Sequence, residues 1–262
     1  MTLDVAIVTW LPEGIRRVAA MNLPAVEGVR YIVSWQEYGA EADIPAELRD
    51  REDLEVHLFD GRGVSANRNN AIRHCTADII LNGDDDLSYT PDELKAVIKT
   101  FEKNPEVHVA TFAYHGSVKR YPTEKTVLGF PLPKHYSVGA IEIAYRRECS
   151  RQLMFDELYG PGAPVWQGAE DEKFLYDARR MGLNCTFFPI KITTHHGGAS
   201  TGARPLLTKG AAAASGRIIR LEFPASWPLR ILLKSLRQWR MGACFLFTLH
   251  HQWRGAISGG KA

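Results

Sequence analysis

The sequence contains no run of about 20 uninterrupted apolar residues, so no helix is expected to span a bilayer. Cysteine is scarce. Cys75, Cys149, Cys185 and Cys244 stand far apart with no CxxC pair, which argues against a zinc site or a disulfide framework. Each reads as a small buried hydrophobe in a reducing cytosol. The opening residues, MTLDVAIVTW, lack a basic segment ahead of the apolar stretch and carry Asp4, so they read as a first strand and not as a signal peptide. There is no internal repeat, and the alanine run at 211–214 is too short to count as low complexity. Net charge is only +2, and no nucleic-acid partner is expected.

What is present suffices for one globular domain: 45% of the 262 residues are hydrophobic and 24% are charged. The small net charge hides an asymmetry. From Arg217 onward stand eight Lys and Arg against one acid, Glu222, whereas the residues before it carry 24 basic and 29 acidic side chains. Residues 5–9, 29–34, 54–58 and 78–82 read as strands. Helices are expected between them at 13–22 and, from a Ser65 cap, at 65–74. Thr90-Pro91-Asp92-Glu93 has the form of a capping box with Pro at the first helical position, and Leu94, Val97, Ile98 and Phe101 then share one face. This alternation implies a parallel sheet with right-handed crossovers, which binds ligands at the carboxyl ends of its strands. The second half is less regular. Strands are expected at 107–113, 138–144, 185–188 and 191–194, a loop at 121–135, and a helix at 168–181 with Phe174, Leu175, Ala178 and Met181 inward.

Four segments carry chemistry. Asp84-Asp85-Asp86 ends a strand and precedes a capped helix. Three adjacent carboxylates repel one another unless a cation neutralises them, and hard oxygens suit Mg2+ or Mn2+ shared with substrate phosphates. A departing diphosphate needs such positive charge. The spacing of an EF-hand is absent, and the plain alternative is a solvated acidic turn. In Gly63-Val64-Ser65-Ala66-Asn67-Arg68-Asn69, small residues would let a nucleotide approach the backbone and Arg68 would meet a base or phosphate, unless the segment is simply a capped surface helix. In Glu170-Asp171-Glu172, acids at a helix start are favoured by the macrodipole, or one of them is a general base. Charge alone does not decide which. His195 and His196 close a strand and point opposite ways, so at most one of them faces the site, as a metal or phosphate ligand, the plain alternative being a structural role for each; the motif runs on through Gly197, Gly198, Ala199, Ser200 and Thr201.

In the order DVAIVTW, GVSANRNNAI, DIILNGDDDLSYTPDEL, FDELYGPGAPVWQGAEDEKFLYDARRMGL and HHGGAST, these segments resemble glycosyltransferase family 2 over about residues 3–205. The resemblance implies an α/β fold of GT-A type, with a Rossmann-like, mostly parallel central sheet flanked by helices. It implies a catalytic domain at 1–215, with a nucleotide-sugar half at 1–115 and an acceptor half at 116–215, followed by a basic helical tail at 216–262. It puts Thr9 and Arg68 at the nucleotide, Asp86 on the metal, Asp84 or Asp85 toward ribose and metal, Asp171 as the base, and His195 or His196 at a later metal-or-phosphate position. The implied cofactor is Mn2+ or Mg2+, and the implied donor a nucleotide sugar, a UDP-sugar by preference. The implied reaction is inverting transfer to the hydroxyl of a glycan or lipid-linked acceptor in bacterial polysaccharide or glycolipid synthesis. The family's Asp at the end of the second strand is missing: Ser34-Trp35-Gln36-Glu37-Tyr38-Gly39 offers Gln36 or Glu37 instead. Two other functions compete. A nucleotidyltransferase needs a Gly-rich turn after the first strand, which TWLPEGIRR lacks. A non-catalytic nucleotide- or sugar-binding module has no use for a base beside a metal.

The tail has its own pattern. In a helix following Pro228, Arg230, Lys234, Arg237 and Arg240 share one broad face, and Leu229, Leu232, Leu233, Leu236 and Trp239 another. Such a helix lies in a membrane interface, or packs its Leu/Trp face on the catalytic domain or on a second subunit as a homodimer. The expected location is the cytoplasm, at the inner face of the cell membrane.

Overall fold

A computed structural model describes residues 1–39, 42–134, 136–196 and 208–258. Alternation along β1 (Leu3–Trp10) sets the layering: Leu3, Val5 and Ile7 enter one core and Ala6 the other, as the period of two in a strand requires. On the first face lie α1 (Leu11–Ala20) and the later α4 (Pro91–Lys103), which contribute Ile15, Val18, Leu94, Val97 and Phe101. On the second lie α3 (Val64–His74) and α5 (Glu170–Arg180), with Ala71, Ile72, Phe174, Leu175 and Ala178. A single turn, α2 (Ala46–Arg49), precedes β3.

The strands β2 (Val29–Gln36), β3 (Leu54–Phe59), β4 (Ile79–Asp84), β5 (Leu87–Ser88), β6 (Val109–His115), β7 (Thr126–Val127), β8 (Ile143–Arg146) and β9 (Cys185–His195) complete one sheet with β1. Its order is β3-β2-β1-β4-β8-β6-β9-β5, and β7 also pairs with β9. The strands β3, β2, β1 and β4 run parallel, as do β6 and β9; β8 runs antiparallel to β4 and β6, between them. Both halves expected from the sequence therefore share one sheet.

The Thr90 capping box is present, Glu93 Oε2 accepting from Thr90 N at 2.7 Å. Other local expectations need correction. Ser65 does not cap α3; Gly63 occupies that position, with φ 102°, and the Ser65 hydroxyl donates to Tyr159 O. The expected strand at 138–144 is a 3-10 turn, Ala140–Glu142, running into β8. The two short strands at 185–194 are one strand, β9, whose pairing with β6 shifts register twice. Met181 and Cys244 are exposed, while the other three cysteines are buried.

Three helices close the described chain: α6 (Lys209–Glu222), α7 (Trp227–Arg240) and α8 (Phe245–Ile257). Position 215 falls inside α6. None of the described helices is long and apolar enough to cross a membrane. Helices α6 and α8 cross closely: a Cβ at Gly216 would overlap Gln252 O, and one at Gly255 would overlap Ala213 O. Between the helices Ser235 Oγ donates to Gln252 Oε1 at 2.8 Å and Gln252 Nε2 to Ser215 Oγ at 3.2 Å. The bundle is tied to the domain by the buried pair of Arg179 on α5 with Glu222 on α6. Helix α7 buries Ile231, Ser235 and Gln238 and leaves Leu229, Leu232, Leu233, Leu236 and Trp239 exposed. The alternative in which that Leu/Trp face packs on the catalytic domain is thereby overturned.

Candidate active site

Parallel pairing gathers the carboxyl ends of β1, β2 and β4. Val8 lies opposite Asp84, and Trp10 opposite Gln36. The three aspartates that follow are held in three different ways.

Asp85 belongs to α1. Its carboxylate accepts from the Thr9 hydroxyl and from both Nε and Nη2 of Arg17, at 3.2 and 2.8 Å. A two-pronged guanidinium contact of this kind fixes orientation as well as charge. Gly14 makes the approach feasible, because a Cβ there would overlap the Thr9 hydroxyl. Arg17 was not singled out in the sequence; its signal is its place on the first helix, just beyond the strand end.

Asp84 turns the other way and accepts from Arg68 Nη2 at 2.8 Å. Arg68 is 4% exposed and lies over the Phe155 ring. Burial works against its charge, but Asp84, Asp171 and Glu170 more than restore it. Arg68 thus sits beneath the acidic cluster, where the expectation had placed it at an open base or phosphate. Its neighbours are equally committed to the protein. Asn67 Nδ2 donates to Thr9 O, Asn67 Oδ1 accepts from Ser34 Oγ, and Asn69 Nδ2 donates to Phe155 O. The segment chosen for its small residues is a buried polar hub, its asparagines and Ser65 bonded to the protein while Arg68 Nε is buried without a partner.

Asp86 meets the histidines through the antiparallel pairing of β5 and β9. Its Oδ2 is 3.1 Å from His195 Nε2, and its backbone oxygen accepts from His196 N at 3.0 Å. The His196 ring instead bonds Ser88 Oγ at 2.9 Å. The two rings diverge as adjacent strand residues do, and only His195 joins the acid. Asp86 Oδ1 is buried without a partner, and its acid is pushed up by burial and by Asp84 and Asp85, against the pull of His195. The expected metal set of Asp84, Asp86, His195 and His196 is therefore divided, since Asp84 is bound to Arg68 and His196 to Ser88. Among the described residues no three His, Cys, Asp or Glu are spaced to hold a metal. Asp86 and His195 fit a cation whose remaining positions are filled by phosphate oxygens, and not one caged by protein alone. Gly197–Thr201 of the histidine motif lies outside the described residues.

Asp171 opens α5, behind Gly168 at φ 150° and Ala169 at φ 64°. Its Oδ1 is buried and unpartnered. Burial first, and Glu170 second, push its acid well above the ordinary range; burial raises Glu170 to about 7. Glu170, one of the three acids the sequence offered as a base, shares the charge of Arg68 with Asp171 and Asp84. The loop before them packs on α3, where a Cβ at Gly160 would meet Val64 Cγ1 at 2.7 Å and Glu170 Cδ at 3.3 Å.

At the far end of β2, Gln36 is buried opposite Phe59. Glu37 has φ 53° and is 3.9 Å from Arg62, and the Tyr38 hydroxyl donates to Asp60. Gln36 is on the same sheet edge as Thr9 but makes no contact with the triplet among the bonds described.

Residues 44–158 match the family model described as glycosyl transferase family 2. No curated protein sequence matches the chain. Among solved structures, S. aureus TarS residues 1–349 is similar over 98% of this chain and 88% of that one, at 14% identity and a TM-score of 0.60. The same protein in complex with UDP-GlcNAc matches with equal coverage, identity and TM-score, and in complex with UDP at a TM-score of 0.57 over 98% of this chain and 81% of that one. At that identity the likeness carries the fold. The family match spans the Arg68 helix and the aspartate triplet, and that stretch of the chain is similar to glycosyl transferase family 2.

Proposed function

We propose that this chain transfers a sugar from a nucleotide-diphosphate sugar, with inversion, to an acceptor hydroxyl. The observation that carries the reading is the Asp171 carboxylate, buried at one oxygen, unpartnered there, and sharing Arg68 with the first acid of the triplet. A carboxylate whose proton affinity is raised by burial suits a group that must accept a proton. Asp171 takes the proton of the acceptor hydroxyl as its oxygen attacks the anomeric carbon. The bond from that carbon to the diphosphate oxygen breaks on the opposite face, and the diphosphate leaves with the electron pair. Asp86 and His195 would hold Mn2+ or Mg2+, which supplies positive charge to the leaving group. Thr9 and Arg17 hold the Asp85 carboxylate, and Gln36 or Glu37 faces the nucleobase of the donor. A UDP-sugar donor is supported by the structural likeness to TarS, which is seen with UDP-GlcNAc and with UDP. The nucleotidyltransferase alternative gains nothing, since Trp10 passes directly into α1 through Leu11 and Pro12 with no glycine-rich loop.

The test is release of nucleoside diphosphate from a panel of nucleotide sugars, with and without Mn2+. Slow release without acceptor, specific to one nucleotide, is expected. Release of pyrophosphate from a nucleoside triphosphate and a sugar phosphate would overturn the reading in favour of nucleotidyl transfer.

A further inference from the structure

The leucines of α7, and Leu246 of α8, face outward. Leu229 is 60% exposed, Trp239 60% and Leu246 72%, although none of these positions lies on a loop. Helix α7 has turned Ser235 and Gln238 inward beside Ile231, and its leucines and Trp239 meet the surroundings. Exposed Leu229 and Leu232 on α7 and Leu246 and Trp253 on α8, with half-buried Leu249, line a common groove of about 1040 Å3. Exposed apolar side chains gathered on one face and rimmed by polar residues mark an interaction surface.

The charge around this face identifies what covers it. No Asp or Glu occurs between Phe223 and Ser258, while Arg230, Lys234, Arg237, Arg240 and Arg254 do. At 100° per residue, Arg230 and Arg237 fall in an exposed stripe along one side of the leucines, with half-buried Lys234 between them. A second copy meeting this face symmetrically would set arginine against arginine with no acid to answer it. An anionic bilayer answers both features at once, since its headgroups neutralise the basic stripe and its acyl boundary takes the leucines and tryptophans.

We propose that the outer face of α7 and α8 docks this enzyme on an anionic lipid surface. The face is coupled to the catalytic side of the molecule. Lys234 interacts with Glu172, next to Asp171, and Arg217 on α6 reaches the Tyr159 hydroxyl in the loop that packs on Glu170. The bundle that carries the docking face is therefore linked to the base-bearing end of α5, independently of which sugar is transferred.

The test is co-sedimentation of the full chain with vesicles containing phosphatidylglycerol and with vesicles of phosphatidylcholine alone. Wild type is expected to pellet with the anionic vesicles and far less with the neutral ones. Replacing Arg230, Arg237 and Arg240 by Gln should lower anionic partitioning by roughly 100-fold, at about fivefold per basic residue near such a surface. Leu232→Gln with Leu236→Gln should lower it as well, both variants keeping the wild-type melting temperature because these side chains are exposed. The proposal is overturned if wild type fails to pellet at low salt, or if the arginine variant pellets equally well. It is also overturned if light scattering shows a wild-type dimer that the leucine variant dissolves, without vesicle binding; the face would then join two copies of this chain.

Discussion

Replacing Arg68 with Met tests the electrostatic core of the site. The arginine is buried, bonds Asp84 at 2.8 Å, and balances Asp171 and Glu170 besides. Methionine keeps the contact with Phe155 and removes only the charge. Breaking a buried pair by deleting one partner costs about 3–5 kcal/mol. For a chain of this size, at roughly 2–4 °C per kcal/mol, the midpoint of thermal unfolding should fall by about 6–20 °C near pH 8. The loss should depend on pH in a definite sense. Glu170 has a folded value of about 7, above the roughly 4.3 of an unfolded glutamate. A raised carboxyl contributes stability that is present below its unfolded value and disappears as pH climbs through the folded one. Asp171 is raised in the same direction. Without Arg68 these carboxyls bind their protons still more tightly. The variant should therefore lie close to wild type near pH 5 and fall progressively behind toward pH 8, and Glu170→Gln in the same background should recover part of the deficit at the alkaline end. Circular-dichroism melts across that range measure it. An equal deficit at both ends would show that Arg68 acts through packing and not through charge, and the account of the site would fail.

Three further outcomes are expected. Asp171→Asn should leave binding of the nucleoside diphosphate near wild type and lower transfer on the order of 10²-fold or more, as loss of a general base does; unchanged turnover would move the role to Glu170 or Glu172. In Asp86→Ala, Mn2+ should no longer strengthen binding of the diphosphate in isothermal titration, while the protein stays folded, because the acid's partners beyond His195 are few. Gly14→Ala should push the Thr9 hydroxyl off Asp85, costing about 1–3 kcal/mol in a thermal melt and weakening the diphosphate; a neutral result would mean that α1 slides at no cost.

The strands and helices of the first half were legible because they are periodic and local: the alternation in β1 and the capping box of α4 are each written in a few consecutive residues. The second half was less so. The 3-10 turn before β8 and the continuity of β9 depend on pairing with strands distant in the chain, and the bulges that let β9 follow β6 leave no mark in composition. At the site, the sequence named Thr9, Asp84, Asp85, Asp86, Asp171 and His195 but not who holds whom. Asp84 and Asp85 are neighbours in the chain, yet one belongs to Arg68 and the other to Arg17. That division is a matter of three-dimensional partners, and adjacent identical letters cannot express it. The amphipathic pattern of α7 was visible, but which face turns inward was decided by Gln252 and Ser215 on other helices.

The way the three closing helices hold together has a consequence for their behaviour in two solvents. A bundle cored with leucine is driven together by water, and immersion in hydrocarbon removes that drive. Here α6 and α8 meet at Gly216 and Gly255, and α7 is joined through a chain of hydrogen bonds from Ser235 to Gln252 to Ser215. Contacts of small residues at close range and of buried hydrogen bonds are the ones by which helices associate inside lipid. The same bundle is thus built to keep its shape whether its outer face meets water or acyl chains, so that partial immersion would require no rearrangement of the helices that carry the leucines.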